Sequence, residues 1–201
     1  MINELKSLGF KKIIGTPHTY PGLYNNSVES IKKSFEKIKS KNLTKDIKID
    51  YASEYFIGDY LIDKASKKKL LTIKNNYVLL EMSFISAPIN LHNIIFQLKL
   101  NDYVPVIAHP ERYRFLFLDF NEYHKMKRLG CKFQINFLSC LGYYGKDVLK
   151  VTDKLLKSDM VDFVGSDVHS IKHINFIKNN HLKIRNYENF INAAKNNEIF
   201  I

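Results

Sequence analysis

Short apolar runs rich in β-branched residues alternate with longer amphipathic runs along the whole chain, and this alternation leaves few folds open. Strands are predicted at residues 12–15, 47–53, 77–82, 104–108, 133–137 and 161–165. Helices are predicted between them. Residues 26–41 place Val28, Ile31, Phe35 and Ile38 at spacings of three and four, and 90–101 place Leu91, Ile94, Ile95 and Leu98 likewise. Residues 120–129 stop at Gly130, a good helix terminator, and 145–158 carry Val148, Val151, Leu155 and Leu156. Further helices fit 171–180 and 187–196. Strand–helix alternation of this kind predicts an α/β fold, a parallel sheet covered by helices. The sheet is either open or closed into a barrel. No glycine-rich phosphate loop follows the first strand, which weighs against a nucleotide-binding open sheet. The 201 residues suit one domain, spanning 1–201, and no Pro/Gly/Ser-rich linker divides them.

The strands end on residues that make poor core. "VPVIAHPERYRF" begins as a buried strand and stops at His109, Pro110, Glu111 and Arg112. The first strand runs into Gly15-Thr16-Pro17-His18, the second into Ser53-Glu54, the third into Glu81, the fifth into Asn136 and the sixth into Gly165-Ser166-Asp167-Val168-His169. In parallel α/β folds the site lies at the C-terminal ends of the strands. His18, Glu54, Glu81, His109, Asp167 and His169 are therefore the candidate metal ligands. Asp167 and His169 are two apart, so on extended chain both face the same side. Imidazole and carboxylate without thiolate suit Mn²⁺, Zn²⁺ or Fe²⁺, and two or three ions with bridging carboxylates would use the whole set. Such a cluster polarises a phosphoryl group and supplies hydroxide at neutral pH. Singly, each residue has a plainer reading as a surface, capping or hydrogen-bonded group. The argument rests on their joint position. Arg112 offers a planar fork suited to phosphate, or else a salt bridge to Glu111 or another nearby carboxylate. Arg114 has the weaker case, and His92, His124, His173 and His181 read as surface or packing residues.

The bulk composition excludes several classes. No stretch approaches the roughly 18 apolar residues of a membrane span. The opening MINELKSLGFKK interrupts its apolar residues with charges, unlike a signal peptide, so a cytoplasmic location is expected. Cys131 and Cys140 lack metal-type pairing and read as buried thiols. The net charge is +11, from 31 Lys and Arg against 20 Asp and Glu. The lysines are spread over helical segments such as SIKKSFEKIKSK, which reads as a solvated face rather than a nucleic-acid site. A positive field also draws in anionic substrates. The sequence does not set the oligomeric state, and a homo-oligomer is compatible with it.

Six stretches carry a resemblance. "TPH" at 16–18, "ASEYF" at 52–56, "YVLLEMSF" at 77–84, "VIAHPERY" at 106–113, "QINFLSCLGYYGK" at 134–146 and "GSDVHS" at 165–170 occur in this order over nearly the whole chain. Together they resemble the manganese-dependent bacterial tyrosine phosphatases of the polymerase-and-histidinol-phosphatase (PHP) superfamily, those tied to capsule and exopolysaccharide synthesis. The resemblance implies a distorted seven-stranded (β/α) TIM-like PHP barrel with a three-metal cluster, Mn²⁺ first and Fe or Zn as alternatives. It places His18, Glu54, Glu81, His109, Asp167 and His169 on ligand positions, with Glu54 bridging. Arg112 falls on the arginine that holds the substrate phosphate, and Arg112, Asp167 and His169 are the expected catalytic residues. The implied reaction is attack of metal-bound hydroxide on a phosphotyrosine of a polysaccharide-synthesis tyrosine kinase. Neither cysteine sits in a phosphate-cradling loop.

The chain also departs from that family. Relatives open on a strand ending in His-x-His, whereas here residues 3–8 read as the end of the helix that follows such a strand. The expectation is thus a barrel lacking its first strand and two ligands, in a chain shortened at its N-terminus and of doubtful activity. A second phosphate-binding arginine after the Asp-x-His motif is replaced by Ile171-Lys172-His173, so Lys172 or His173 would have to substitute. The alternatives are a small-molecule phosphate monoester phosphatase of the same superfamily and a catalytically dead fragment.

Overall fold

All six apolar runs become parallel strands, and two of them break in the middle. The computed structural model describes residues 1–40 and 47–201. A short helix α1 (Ile2–Ser7) leads into β1 (Lys12–Gly15), and after Thr16 and Pro17 the same strand resumes as β2 (His18–Thr19). Helix α2 (Val28–Ser40) follows, its expected last residue, Lys41, lying outside the described residues. The next strand is likewise split into β3 (Lys48–Tyr51) and β4 (Glu54–Phe56). The two breaks lie side by side. Lys12 to Gly15 pair with Lys48 to Tyr51, and His18 and Thr19 pair with Glu54 and Tyr55. Across the interruption Ala52 N–H donates to Gly15 O at 2.9 Å and Glu54 N–H to Pro17 O at 3.1 Å. The Thr19 and Ser53 hydroxyls meet at 2.6 Å, and Ser53 also donates to Pro17 O. A proline that cannot donate to the ladder is thereby accommodated by side-chain hydroxyls.

Beyond these come α3 (Tyr60–Ser66), β5 (Tyr77–Glu81), α4 (Leu91–Leu100), β6 (Val104–Ala108), α5 (Phe120–Arg128), β7 (Lys132–Asn136), α6 (Phe137–Cys140), α7 (Lys146–Lys157), β8 (Phe163–Gly165), α8 (Ile171–Asn179) and α9 (Tyr187–Asn196). Helices α3 and α6 were not foreseen, being only 7 and 4 residues long. The main sheet has the order β2-β4-β5-β6-β7-β8, every pairing parallel. Spatial order thus follows chain order, as in a sheet that curls around an axis.

Strand alternation sorts the core into two layers. Val78, Leu80, Ile107 and Phe133 face outward and pack with Leu61, Ile94, Leu98, Tyr123 and Leu155 of the helices. Leu79, Val106, Ala108 and Phe163 face inward and meet Phe200 from the C-terminal 3₁₀ turn. Both layers are apolar because a parallel sheet is buried on both faces. Between β8 and β1 lies a cleft of about 410 Å³ lined by Leu5, Phe10, Ile14, Leu79, Val164 and Phe200 among others. Lys12 Nζ donates to Phe200 O at 2.7 Å, and the Asn197 side chain takes both the N–H and the C=O of Val164. An ion pair from Lys178 on α8 to Glu4 on α1 spans the same side of the molecule.

Candidate metal centre and phosphate pocket

Glu81 is the simplest to place. Strand β5 puts Tyr77, Leu79 and Glu81 on its inner face, so the carboxylate stands at the inner C-terminal end by parity alone. His18 and Glu54 reach the same level because both follow the paired strand breaks, where they are cross-strand partners. His109 departs from parity. Extended continuation of β6 would send it outward beside Ile107. It instead takes a left-handed conformation, φ 35° and ψ 54°, that ends the strand and turns its ring into the mouth. Asp167 is also left-handed, with φ 47°. Such geometry costs about 1–3 kcal/mol per residue and collects at functional sites.

The four groups form one cluster. His18 Nε2 lies 3.4 Å from Glu54 Oε2 and 3.5 Å from Glu81 Oε2. His109 Nε2 lies 3.6 Å from Glu54 Oε1 and 3.4 Å from Glu81 Oε1. Each carboxylate thus presents one oxygen to each imidazole, at spacings longer than good hydrogen bonds. They are the spacings of atoms that share a cation, since ligands about 2.1 Å from one ion stand about 3–3.5 Å apart. Ligand atoms of His18, Glu54 and Glu81 all lie within 4.8 Å of one another. The donor set therefore fits a divalent metal. Burial alone would drive His109 toward its neutral form, but Glu54 and Glu81 reverse this and hold its pKa at about 9. For Glu81 burial raises the pKa, and His109, His18 and Arg112 outweigh it and leave the carboxyl below its ordinary value. The cluster thus recruits positive charge even from a proton. Among the described residues His109 Nδ1 is buried without a hydrogen-bond partner, its ring flanked by those of Phe84 and Tyr113.

Asp167 and His169 complete the ring of candidates less tightly. All six expected ligands line one pocket of about 330 Å³, together with Phe84, Arg112, Tyr144 and His173. His169 is the most open of them, its side chain 56% exposed, with Nδ1 2.9 Å from Asp167 O. Asp167 Oδ2 accepts from Arg112 Nη1 at 3.0 Å and from Asn136 Nδ2 at 2.7 Å. Of the two readings of Arg112, the ion pair is thus present, and its partner is Asp167 rather than Glu111. The same guanidinium lies 4.8 Å from the Phe84 ring centre and 4.3 Å from that of Tyr144. A flat cation between two rings keeps its orientation.

Glu111 serves elsewhere. It is fully buried, and its Oε1 accepts from Asn136 N–H at 2.9 Å and from the Ser139 hydroxyl at 2.6 Å. Burial pushes its carboxyl up. Glu111 thereby holds Asn136, which holds Asp167. His173, read from the sequence as a surface or packing residue, lines the pocket, and its Nδ1 accepts from His169 N–H at 3.3 Å. Lys172 is exposed and is not among the pocket residues. Phe84 and Tyr144 were missed as site residues because neither lies at a strand end, whereas His173 was one of the two residues named as a substitute for a second arginine. Proximity to Glu81 and the Leu-Gly-Tyr-Tyr run was the available signal.

A parallel α/β sheet with imidazoles, carboxylates and an arginine gathered at its C-terminal ends defines a metal-site protein of the phosphoester-handling type. Comparison with known proteins narrows this. The family "Capsular polysaccharide synthesis, CpsB/CapC" matches residues 1–180, and the chain belongs to that family. It is 29% identical over 171 residues to the tyrosine-protein phosphatase YwqE of Bacillus subtilis, covering 84% of this chain and 67% of that protein. It is 28% identical over 179 residues to the tyrosine-protein phosphatase CpsB of Streptococcus pneumoniae, covering 85% and 74%. The putative tyrosine-protein phosphatase CapC of Staphylococcus aureus is 26% identical over 180 residues, covering 88% and 71%. Crystal structures of YwqE and CpsB, described as unique metal-dependent tyrosine phosphatases, include one that superposes with a TM-score of 0.80 at 26% identity, covering 87% of this chain and 72% of that one.

Proposed function

We propose that this chain is a metal-dependent phosphatase of phosphotyrosine in proteins. The observation that carries the reading is the pair of carboxylates, Glu54 and Glu81, set between the imidazoles of His18 and His109, with a ring-clamped arginine in the same pocket. The names of its relatives support it. His18, Glu54, Glu81 and His109 would hold the metal, with Asp167 and His169 as further ligands, and Mn²⁺ is the first candidate. A divalent cation there polarises a phosphoryl group and activates water. Arg112 supplies charge-assisted donors to the phosphoryl oxygens, which places the ester and offsets the charge that develops on it. Asp167 keeps the guanidinium in place, and Asn136 and Glu111 in turn keep Asp167. The protein substrate we infer is a tyrosine kinase of polysaccharide synthesis.

We further infer that the curled sheet is the PHP barrel with one strand position open. What supports this is that among the described residues no strand pairs β8 with β1, and a cleft lies between them. A strand there would bring further ligands to the mouth.

The test is purification with Mn²⁺, metal analysis, and turnover of a phosphotyrosine peptide against histidinol phosphate. Bound metal with preference for the peptide is expected. Preference for histidinol phosphate would move the substrate to a small ester. Metal-free protein inert toward both would make this chain a non-catalytic member of its family.

A further inference from the structure

The phosphoryl end of the pocket has its partners in the metal cluster and Arg112. The alcohol side of the ester needs a surface of its own, and the partly exposed ring of Phe84 can supply it. Phe84 follows Glu81 by three residues and lines the same pocket. Its ring lies over both functional groups: 5.7 Å from the His109 ring at 20°, and 4.8 Å from the Arg112 guanidinium carbon. Yet Phe84 is 43% exposed, and Ile85 beside it is 87% exposed. Tyr144, across the guanidinium, is already committed: its hydroxyl accepts from Asn136 Nδ2 at 3.3 Å. The exposed part of this ring gains when an apolar group covers it. A flat aryl group leaving the cluster fits that face, since ring pairs gain from offset or edge contacts beyond the area they bury. An alkyl ester has no ring to place there.

We propose that Phe84 selects aryl over alkyl phosphate esters at this site, packing against the ring of the ester while Arg112 and the cluster hold its phosphoryl group. This rests on the phosphatase reading above. A purely structural role would make Phe84 only a clamp on Arg112, and the two roles separate in binding. The probes are phosphonomethyl-phenylalanine, a non-hydrolysable aryl analogue, and inorganic phosphate. Each is titrated by calorimetry into the Mn²⁺-loaded full chain and into its Phe84→Ala and Phe84→Leu variants.

The expected result is a loss of aryl-analogue affinity in Phe84→Ala that exceeds any loss of phosphate affinity by about twofold to tenfold. Phe84→Leu, which keeps apolar volume without a ring face, falls between. The peptide-level companion is kcat/KM for a phosphotyrosine peptide against its phosphoserine counterpart, whose ratio drops in the same order. Equal loss for both probes reduces Phe84 to the clamp and overturns the proposal, as does an unchanged ratio in both variants. A wild-type chain that binds neither probe overturns the phosphatase reading and this inference with it.

Discussion

Arg112 shows how one residue type carries two roles in one place. Its Nη1 is 3.0 Å from Asp167 Oδ2, and its flat group is held between Phe84 and Tyr144. The pair is about four-fifths buried, so it is screened far less than a surface ion pair. Arg112→Ala should therefore weaken inorganic phosphate binding by about tenfold to a hundredfold, the range for hydrogen bonds to charged groups. The metal held by His18, Glu54 and Glu81 should remain, because the ion-pair partner of Arg112 is Asp167 and not one of these three. Arg112→Lys should restore only part, since an ammonium keeps the charge and loses the fork. Phosphate titration with metal analysis on each variant checks this, and full phosphate affinity in Arg112→Ala would leave the residue as Asp167's partner alone.

Among the elements, α7 does more than cover the sheet. Its Asp153 reaches the segment before α9, where Oδ1 accepts from Arg185 N–H at 2.7 Å, Asn186 N–H at 3.1 Å and Asn186 Nδ2 at 2.9 Å. Burial raises the Asp153 pKa, and these donors outweigh it and bring the carboxyl below its ordinary value. A depressed folded pKa means stability present above the unfolded value, near 3.9, and lost as pH falls through the folded one. Asp153→Ala should thus destabilise by about 1–2 kcal/mol at neutral pH, the range for hydrogen bonds to a partly exposed charge. The deficit should shrink as pH falls from about 4, where the unfolded carboxyl takes up its proton, through the lower value at which the folded one does. Urea melts of both proteins at pH 7 and pH 3 measure the difference, and a constant gap at both would remove the charge from the explanation.

At the scale of the whole molecule, the cleft beside β1 is the feature with most consequence. Apolar residues of β1, α1 and the C-terminal turn line it, and Glu54, His109 and Asp167 border it. Filling it with a fused N-terminal strand carrying His-x-His should raise thermal stability, Mn²⁺ content and phosphotyrosine turnover together. A 201-residue chain already as stable and active as the fusion would sink the open-strand reading. The thiols give a second test. Burial pushes Cys131 up to about 12 and Cys140 well above the ordinary thiol value, and both are at most 1% exposed. Neither should react with a thiol reagent until the protein unfolds, and phosphatase activity should survive the treatment. Inactivation tracking alkylation of native protein would put a cysteine back into the chemistry.

The α/β class, the parallel sheet and the strand-end positions of His18, Glu54, Glu81, His109 and Asp167 were legible in the sequence, because hydrophobic period and polar strand ends are local signals. The turn of the chain at His109 was not, since a left-handed residue before proline is decided by what surrounds it. The paired breaks before His18 and Glu54 were hidden for the same reason: each is stabilised by the other strand. Arg112 is the clearest case. Its sequence allowed a phosphate fork or a salt bridge, and only packing brought Asp167, 55 residues away, to 3.0 Å. Local pattern determines which residues can stand at the mouth of such a sheet. Contacts between segments distant in the chain determine which of them meet, because those energies exist only once the sheet has formed.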